Sequence, residues 1–253
     1  MSTVLHKILY FYKHYGIIYL IRIIILHPLN KYRNYKLSVA LNHLSKAQDF
    51  FTHVYWDGKK RNLESLSGVG STLVQTSKIR KKLPILLSDF NITSIIDAPC
   101  GDLNWMIEII NDYQGKYLGI DIVQPLIKDL NHRYASDRIS FENHDLMSVV
   151  LPPADLLITR DFLFHLSFED INKFLINFKK SNIKYLLATS HHLDHCHINK
   201  DIKTGDFRAI DLFKKPFHFP LQFADSFEDY VDPEPPRSMF LWKRDDLPDN
   251  FAW

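Results

Sequence analysis

The chain lacks most of what would commit it to a specialised architecture. Among its 253 residues there are two cysteines, Cys100 and Cys196. Two thiols cannot build a disulfide framework, and a reducing cytoplasm is the expected setting. Charge of one sign is not in excess either. Thirty-one Lys and Arg against 29 Asp and Glu leave a formal charge of +2, so no nucleic-acid partner is expected. A clean membrane-spanning run is also missing. The most apolar stretch, Ile8 to Leu29 with GIIYLIRIIIL at its centre, is interrupted by Lys13, His14, Arg22 and His27. A charge near mid-bilayer costs about 2.5–3.5 kcal/mol on insertion scales, which argues against a span. A cleaved leader fits poorly as well, because Arg22 breaks the apolar region and no small-residue cleavage site follows.

What is present describes a folded enzyme-sized domain. Hydrophobic residues make up 46% and charged residues 24%, so disorder is excluded except at the ends. The length suits one α/β domain with extensions. Residues 1–72 read as a helical accessory region. Its apolar run is either a helix buried against the rest of the protein or an interfacial helix lying on an anionic membrane. In the second case residues 5–36 would face the surface, with Lys7, Lys13, Arg22, Lys31, Arg33 and Lys36 at the headgroups. Pro28 would end that helix. Peripheral attachment to a membrane from the cytoplasmic side is therefore one expectation.

Residues 37–53 read as a second helix, and WDGKKRNLESLSGVGS as a polar loop. Ser71 or Thr72 is placed to cap a helix over Leu73–Phe90, whose Leu73, Ile79, Leu83, Leu86 and Leu87 form an apolar face. From Ser94 onward short apolar runs alternate with helical ones. SIIDA, KYLGID, ISFENH, DLLIT and YLLATS read as strands, with helices near 103–111, 123–134 and 168–180. This alternation predicts an α/β, Rossmann-like, doubly wound sheet over residues 73–253. Residues 190–235 read as a loop-rich decoration on the substrate side, followed by the strand-like SMFLWKR.

The segment SIIDAPCGDLNWM carries the most information. A strand runs into Asp97, a tight turn holds Pro99, Cys100, Gly101 and Asp102, and a helix is expected from Leu103. In doubly wound sheets ligands bind at the carboxyl ends of the strands, where strand order reverses. Gly101 lets the backbone approach a ligand closely. About twenty residues on, the next strand ends at Asp121 and Ile122, where a carboxylate can accept the two hydroxyls of an adenosine ribose. The third strand ends at Asp145 and Leu146, a place suited to an adenine amino group. Pro99 and Leu103 stand where glycines would be needed for a pyrophosphate, so a dinucleotide is excluded.

Together these segments resemble class I S-adenosylmethionine-dependent methyltransferases. GVGSTLVQTSKIRKKLP, DAPCGDLNWM, YLGIDIV, ADLLITRDFLFHLSFEDI, YLLATS and NKDIKTGDFRAIDLFKKPF narrow the resemblance to a group associated with bacterial and viral glycan synthesis. It spans roughly residues 68–220. It implies S-adenosylmethionine as cofactor and a glycan or glycolipid sugar hydroxyl as acceptor.

Methyl transfer to a hydroxyl needs alignment and a proton acceptor. The fourth strand leads into TRDFLFHL, which makes His165 and Asp161 the candidate bases and Arg160 a cofactor contact. If the residues between them were helical, Asp161 and His165 would share one face. Asp161 would then either act as base itself or orient the histidine. Ser71 and Thr72, ahead of a helix, are placed to meet the cofactor's carboxylate. The run HHLDHCHINKD matches no closed zinc spacing, so no metal is assigned. His191, His192, Asn199, Asp201 and Arg208 are candidate sugar-binding residues, and Trp56 or Phe207 could stack on a sugar face. Two alternatives stay open: a methyltransferase for RNA, protein or a small metabolite, and a non-catalytic cofactor-binding scaffold of a glycan assembly.

Overall fold

A computed structural model describes residues 64–193, 196–232 and 234–248. The membrane-facing expectation for residues 5–36, the helix expected over 37–53, Trp56 and His195 lie outside the described residues. Among the described residues no helix is long and apolar enough to cross a membrane.

The described residues form one seven-stranded sheet: β1 (Ser94–Asp97), β2 (Lys116–Asp121), β3 (Ile139–Asn143), β4 (Leu156–Thr159), β5 (Tyr185–His191), β6 (Asp225–Glu228) and β7 (Arg237–Lys243). The order is β3-β2-β1-β4-β5-β7-β6. β1 to β5 are parallel, while β7 runs antiparallel to both β5 and β6. The chain moves outward through β1, β2 and β3, then returns to lay β4 on the other side of β1. That reversal opens a crevice at the carboxyl ends of β1 and β4.

Strand alternation divides the core. Ile96, Leu157, Leu186, Ala188, Phe240 and Trp242 point to one face, and Ile95, Leu156, Ile158, Leu187, Met239 and Leu241 to the other. The first face is covered by α4 (Phe168–Lys180), which buries Ile171, Phe174, Leu175 and Phe178 at helical spacing. Its ends obey local chemistry. Ser167 caps it by accepting the Asp170 N–H, Glu169 and Asp170 occupy the first turn, and Lys179 and Lys180 the last. The second face is covered by α1 (Ser77–Asp89), α2 (Ile107–Ile110) and α3 (Gln124–Tyr134). Gly119 in β2 is required by packing, since a Cβ there would stand 2.6 Å from the Phe141 ring. At the opposite end of the sheet, Asp155 accepts the backbone and hydroxyl donors of both Thr93 and Ser94 and pairs with Lys184.

Three local expectations change. The helix expected from Leu73 begins at Ser77, so neither Ser71 nor Thr72 is its N-cap. Thr72 instead closes a turn: its hydroxyl donates to the Val69 carbonyl, and its own carbonyl accepts from Thr76. The helix expected near 103–111 is regular only over Ile107–Ile110, because Leu103 sits at φ +64°, in the left-handed region where an α-helix cannot pass. Within the decoration expected at 190–235, residues 225–228 form the edge strand β6, with Phe227 buried between exposed Ser226 and Glu228.

Candidate active site

Asp97 ends β1 with its side chain only 3% exposed. Burial pushes its carboxyl up to about 7, against the hydrogen bond donated by Tyr117 Oη at 2.8 Å. In the unfolded chain this group titrates near its ordinary value of 3.8. The folded state therefore holds the proton more tightly, and its stability declines as pH rises from about 4 to about 7. Asp97→Asn should remove that decline. Thermal midpoints at pH 5 and pH 8 test this: the wild-type midpoint should drop more between the two than the variant's, and equal drops would contradict it.

The following turn is tied to β2. The Cys100 N–H bonds the Ile120 carbonyl, and the Gly101 N–H bonds Asp121 Oδ2 at 3.1 Å. Asp121 Oδ1 accepts the Val123 N–H at 3.0 Å. Burial raises the Asp121 carboxyl, and these backbone donors oppose the rise. A carboxylate offers about four acceptor positions, so Asp121 keeps acceptor capacity beyond the Gly101 and Val123 N–H groups. Burial pushes the Cys100 thiol well up and leaves it a poor nucleophile.

Residues 64–72 lie on this turn. Asp102, expected to touch the cofactor, accepts from four neighbours: the hydroxyls of Ser65 and Ser67 and the N–H groups of Leu66 and Asn104. Asn104 bonds Glu64 and the Ser71 carbonyl. Gly101 sits at φ +56°, and a Cβ there would stand 2.2 Å from Ser67 Oγ, so both its conformation and this close approach require glycine.

At the end of β4 four charges meet. Arg160 donates through Nε to Asp229 Oδ2 at 2.6 Å and through Nη1 to the Gly70 carbonyl at 2.8 Å. Its Nη2 is buried with no hydrogen-bond partner among the described residues. The guanidinium lies 5.6 Å from the centre of the Trp105 ring. Asp161 takes a two-pronged bond from Arg237 at 3.0 and 3.1 Å. Burial raises its carboxyl, but Arg160 and Arg237 outweigh that and hold it below the ordinary range. A carboxylate held in this way is a weak base. Nor does Asp161 orient His165. The residues between them form a tighter 3-10 turn over Leu163–His165, and Asp161 itself sits at φ +52°, so the expected shared helical face does not form. The group that orients His165 is the Asp206 carbonyl, 2.8 Å from Nδ1. A carbonyl can only accept, so Nδ1 carries the proton and Nε2 keeps its lone pair. Burial lowers the His165 pKa, which keeps that lone pair free at neutral pH.

Comparison with known proteins adds the fold. No family model and no curated protein matches the sequence. A Burkholderia thailandensis 1,6-didemethyltoxoflavin-N1-methyltransferase, solved with its substrate and S-adenosylhomocysteine, aligns over 78% of this chain and 86% of its own at 14% identity, TM-score 0.54. Magnesium protoporphyrin IX methyltransferase from Synechocystis PCC 6803, solved with S-adenosylmethionine, aligns over 77% and 93% at 12% identity, TM-score 0.50. The S-adenosylmethionine-dependent methyltransferase SibL aligns over 64% of this chain at 13% identity, TM-score 0.47, and this chain spans 54% of its length. The chain has the Rossmann-like fold of class I methyltransferases.

Within this methyltransferase fold the other sequence candidates separate. Asn199 is buried: its amide donates to the Asp211 and Lys215 carbonyls and accepts the Asp211 N–H. It braces a loop through these three bonds. Asp201 accepts the N–H groups of Phe168 and Ile202 at the start of α4. Arg208 is buried over the Phe168 ring with Nη1 on the Leu166 carbonyl. His192 bonds Ser238 Oγ and lies edge-on to Phe240. Asp145 folds onto its own turn, accepting from Met147 and Ser148, while Leu146 is buried in the core. His191 stays with His165, both rings lying against Phe164 and Phe207. Sequence reasoning missed Arg237, Asp229, Tyr117, Trp105 and Ser65–Ser67. Asp229 and Arg237 flank a Pro-rich polar stretch and resemble solvated surface charges, so nothing local marks them.

Proposed function

We propose that this chain is an S-adenosylmethionine-dependent methyltransferase whose acceptor is a sugar hydroxyl of a glycan or glycolipid. The observation that carries the cofactor reading is Asp121. It is 7% exposed, stands at the end of β2, bonds the Gly101 turn of β1, and retains acceptor capacity for ribose hydroxyls. The unpartnered Arg160 Nη2 supplies a cationic donor suited to the cofactor's carboxylate. Structures that align with TM-scores of 0.50 and 0.54 and were solved with S-adenosylmethionine or S-adenosylhomocysteine support the same reading.

S-adenosylmethionine, when bound, would supply a sulfonium methyl that a hydroxyl oxygen can attack, with S-adenosylhomocysteine as the leaving group. The protein's part is to hold the acceptor and accept its proton, and His165 Nε2 is the group with the free lone pair. The acceptor class rests on the sequence resemblance and on the aromatic rings of Phe164 and Phe207 that flank His165. Transfer of radiolabelled methyl groups to neutral oligosaccharides, RNA, protein and small alcohols tests it. Label should enter the oligosaccharide fraction. Label in RNA or protein alone would contradict the sugar reading, and cofactor binding with no transfer to any acceptor would favour the scaffold alternative.

A further inference from the structure

Two histidines beside the crevice are locked by the backbone in opposite tautomers. His165 Nδ1 faces the Asp206 carbonyl at 2.8 Å and must carry its proton, which leaves Nε2 as an acceptor. His191 Nδ1 accepts the Ile210 N–H at 3.3 Å and must be bare, which places the proton on Nε2 as a donor. His191 is 3% exposed, and its Nε2 has no hydrogen-bond partner among the described residues.

Both rings belong to one cluster. Phe164 lies 4.6 Å from His165 and 5.2 Å from His191, centre to centre, and Phe207 lies 5.3 Å from Phe164. Phe207 is 5.8 Å from His165 and 6.5 Å from His191, yet it is 54% exposed. A large aromatic left open beside two oriented imidazoles has no role in the core. The charges nearby are Asp161 and Arg208, and Arg208 keeps Nε and Nη2 buried with no hydrogen-bond partner among the described residues. Asp161 is held by Arg237, and Arg208 stacks over Phe168 with Nη1 on the Leu166 carbonyl.

We propose that His165, His191 and Phe207 form a recognition face for an uncharged hydroxyl carried on a ring with an apolar side, and that Phe207 sets its specificity. A hydroxyl is both donor and acceptor, so it satisfies His165 Nε2 with its hydrogen and His191 Nε2–H with its oxygen at once. A carboxylate or phosphate would meet only one donor and face the His165 lone pair. An ammonium would meet the His191 N–H unfavourably. The exposed Phe207 ring offers the apolar contact that a sugar or cyclitol face needs. The two tautomers hold near neutral pH, because burial keeps His165 uncharged and holds His191 at about 4. The inference deepens the methyl-transfer reading and rests on it for the identity of the site.

Long-range proton–nitrogen NMR of the 15N-labelled full chain tests it. At pH 7 His165 should give the Nδ1–H pattern and His191 the Nε2–H pattern. Cyclohexanol, used as the probe, should shift the Nε2 resonances of both rings, whereas cyclohexanecarboxylate and cyclohexylammonium should not. Phe207→Ala should weaken the alcohol's binding by about fivefold to tenfold, and Phe207→Trp should retain it. Because the Asp206 carbonyl and the Ile210 N–H set the tautomers, both variants should keep the two tautomer patterns, with only the ring-current shift that a change at Phe207 brings. The same tautomer on both rings, equal binding of the charged analogues, or no response to any of the three would overturn the proposal. A calorimetric titration with S-adenosylhomocysteine separates the two readings. Failure to bind it while the alcohol response persists would remove the methyl-transfer reading and leave the recognition face standing.

Discussion

His165→Ala should lower the methyl-transfer turnover number by about 10²–10⁴-fold, the usual contribution of a positioned general base, while S-adenosylhomocysteine binds as tightly as before. The expectation follows from the Asp206 carbonyl, which fixes the imidazole with its Nε2 lone pair free. Burial lowers the His165 pKa below 6.5, so the acidic limb of the rate profile should lie below the ordinary histidine value. Protonation below that point removes the lone pair and with it the activity. Exogenous imidazole should partly restore the alanine variant, a response that a packing defect would not give. Asp161→Asn provides the contrast, because two arginines hold that carboxylate and it cannot serve as an efficient base. Normal turnover in His165→Ala would place the proton acceptor elsewhere.

Arg237→Ala should destabilise the fold by about 3–5 kcal/mol, the penalty for removing one partner of a buried ion pair. Arg237 is 4% exposed and makes two bonds to Asp161. Its loss leaves the part-buried Asp161 carboxylate with Arg160 at 3.4 Å and the Thr189 hydroxyl as its remaining partners, and loosens the junction of β7 with β4. For a domain of this size the thermal midpoint should fall by on the order of 10 °C. The double variant Arg237→Ala with Asp161→Asn should lose much less than the two single losses added together, since it leaves no unpaired charge. Urea unfolding of the four proteins measures the coupling. A single-variant loss under 1 kcal/mol would show that the pair is solvent-screened instead.

The fold was legible where the chain carries its own signal. SIIDA, KYLGID, DLLIT and YLLATS are apolar runs bounded by polar residues, and each is a strand of the parallel sheet; SMFLWKR is β7. β6 was not legible, because four residues with a single buried side chain carry too little periodicity. The start of α1 moved from Leu73 to Ser77 because Thr72 and Thr76 satisfy each other locally and form a turn first. At the site, Asp97 and Asp121 were readable as carboxylates ending strands. Asp102 looked equivalent, but its hydroxyl partners Ser65 and Ser67 lie 37 and 35 residues earlier, and no local pattern announces such a bond. The Arg160–Asp229 and Asp161–Arg237 pairs span 69 and 76 residues. Each of the four reads locally as an ordinary charge, and only the return of β7 beside β5 brings them together.

Calorimetric titration of the full chain with S-adenosylhomocysteine tests the central claim most directly. The wild-type protein should bind at a single site, and Asp121→Ala should weaken that binding by about 1–3 kcal/mol, the cost of leaving hydroxyls without their acceptor. Cooperative urea unfolding of the variant would establish that it is folded. Absence of binding to the wild-type chain, or undiminished affinity in a folded Asp121→Ala variant, would contradict the placement of the cofactor at the carboxyl ends of β1 and β2.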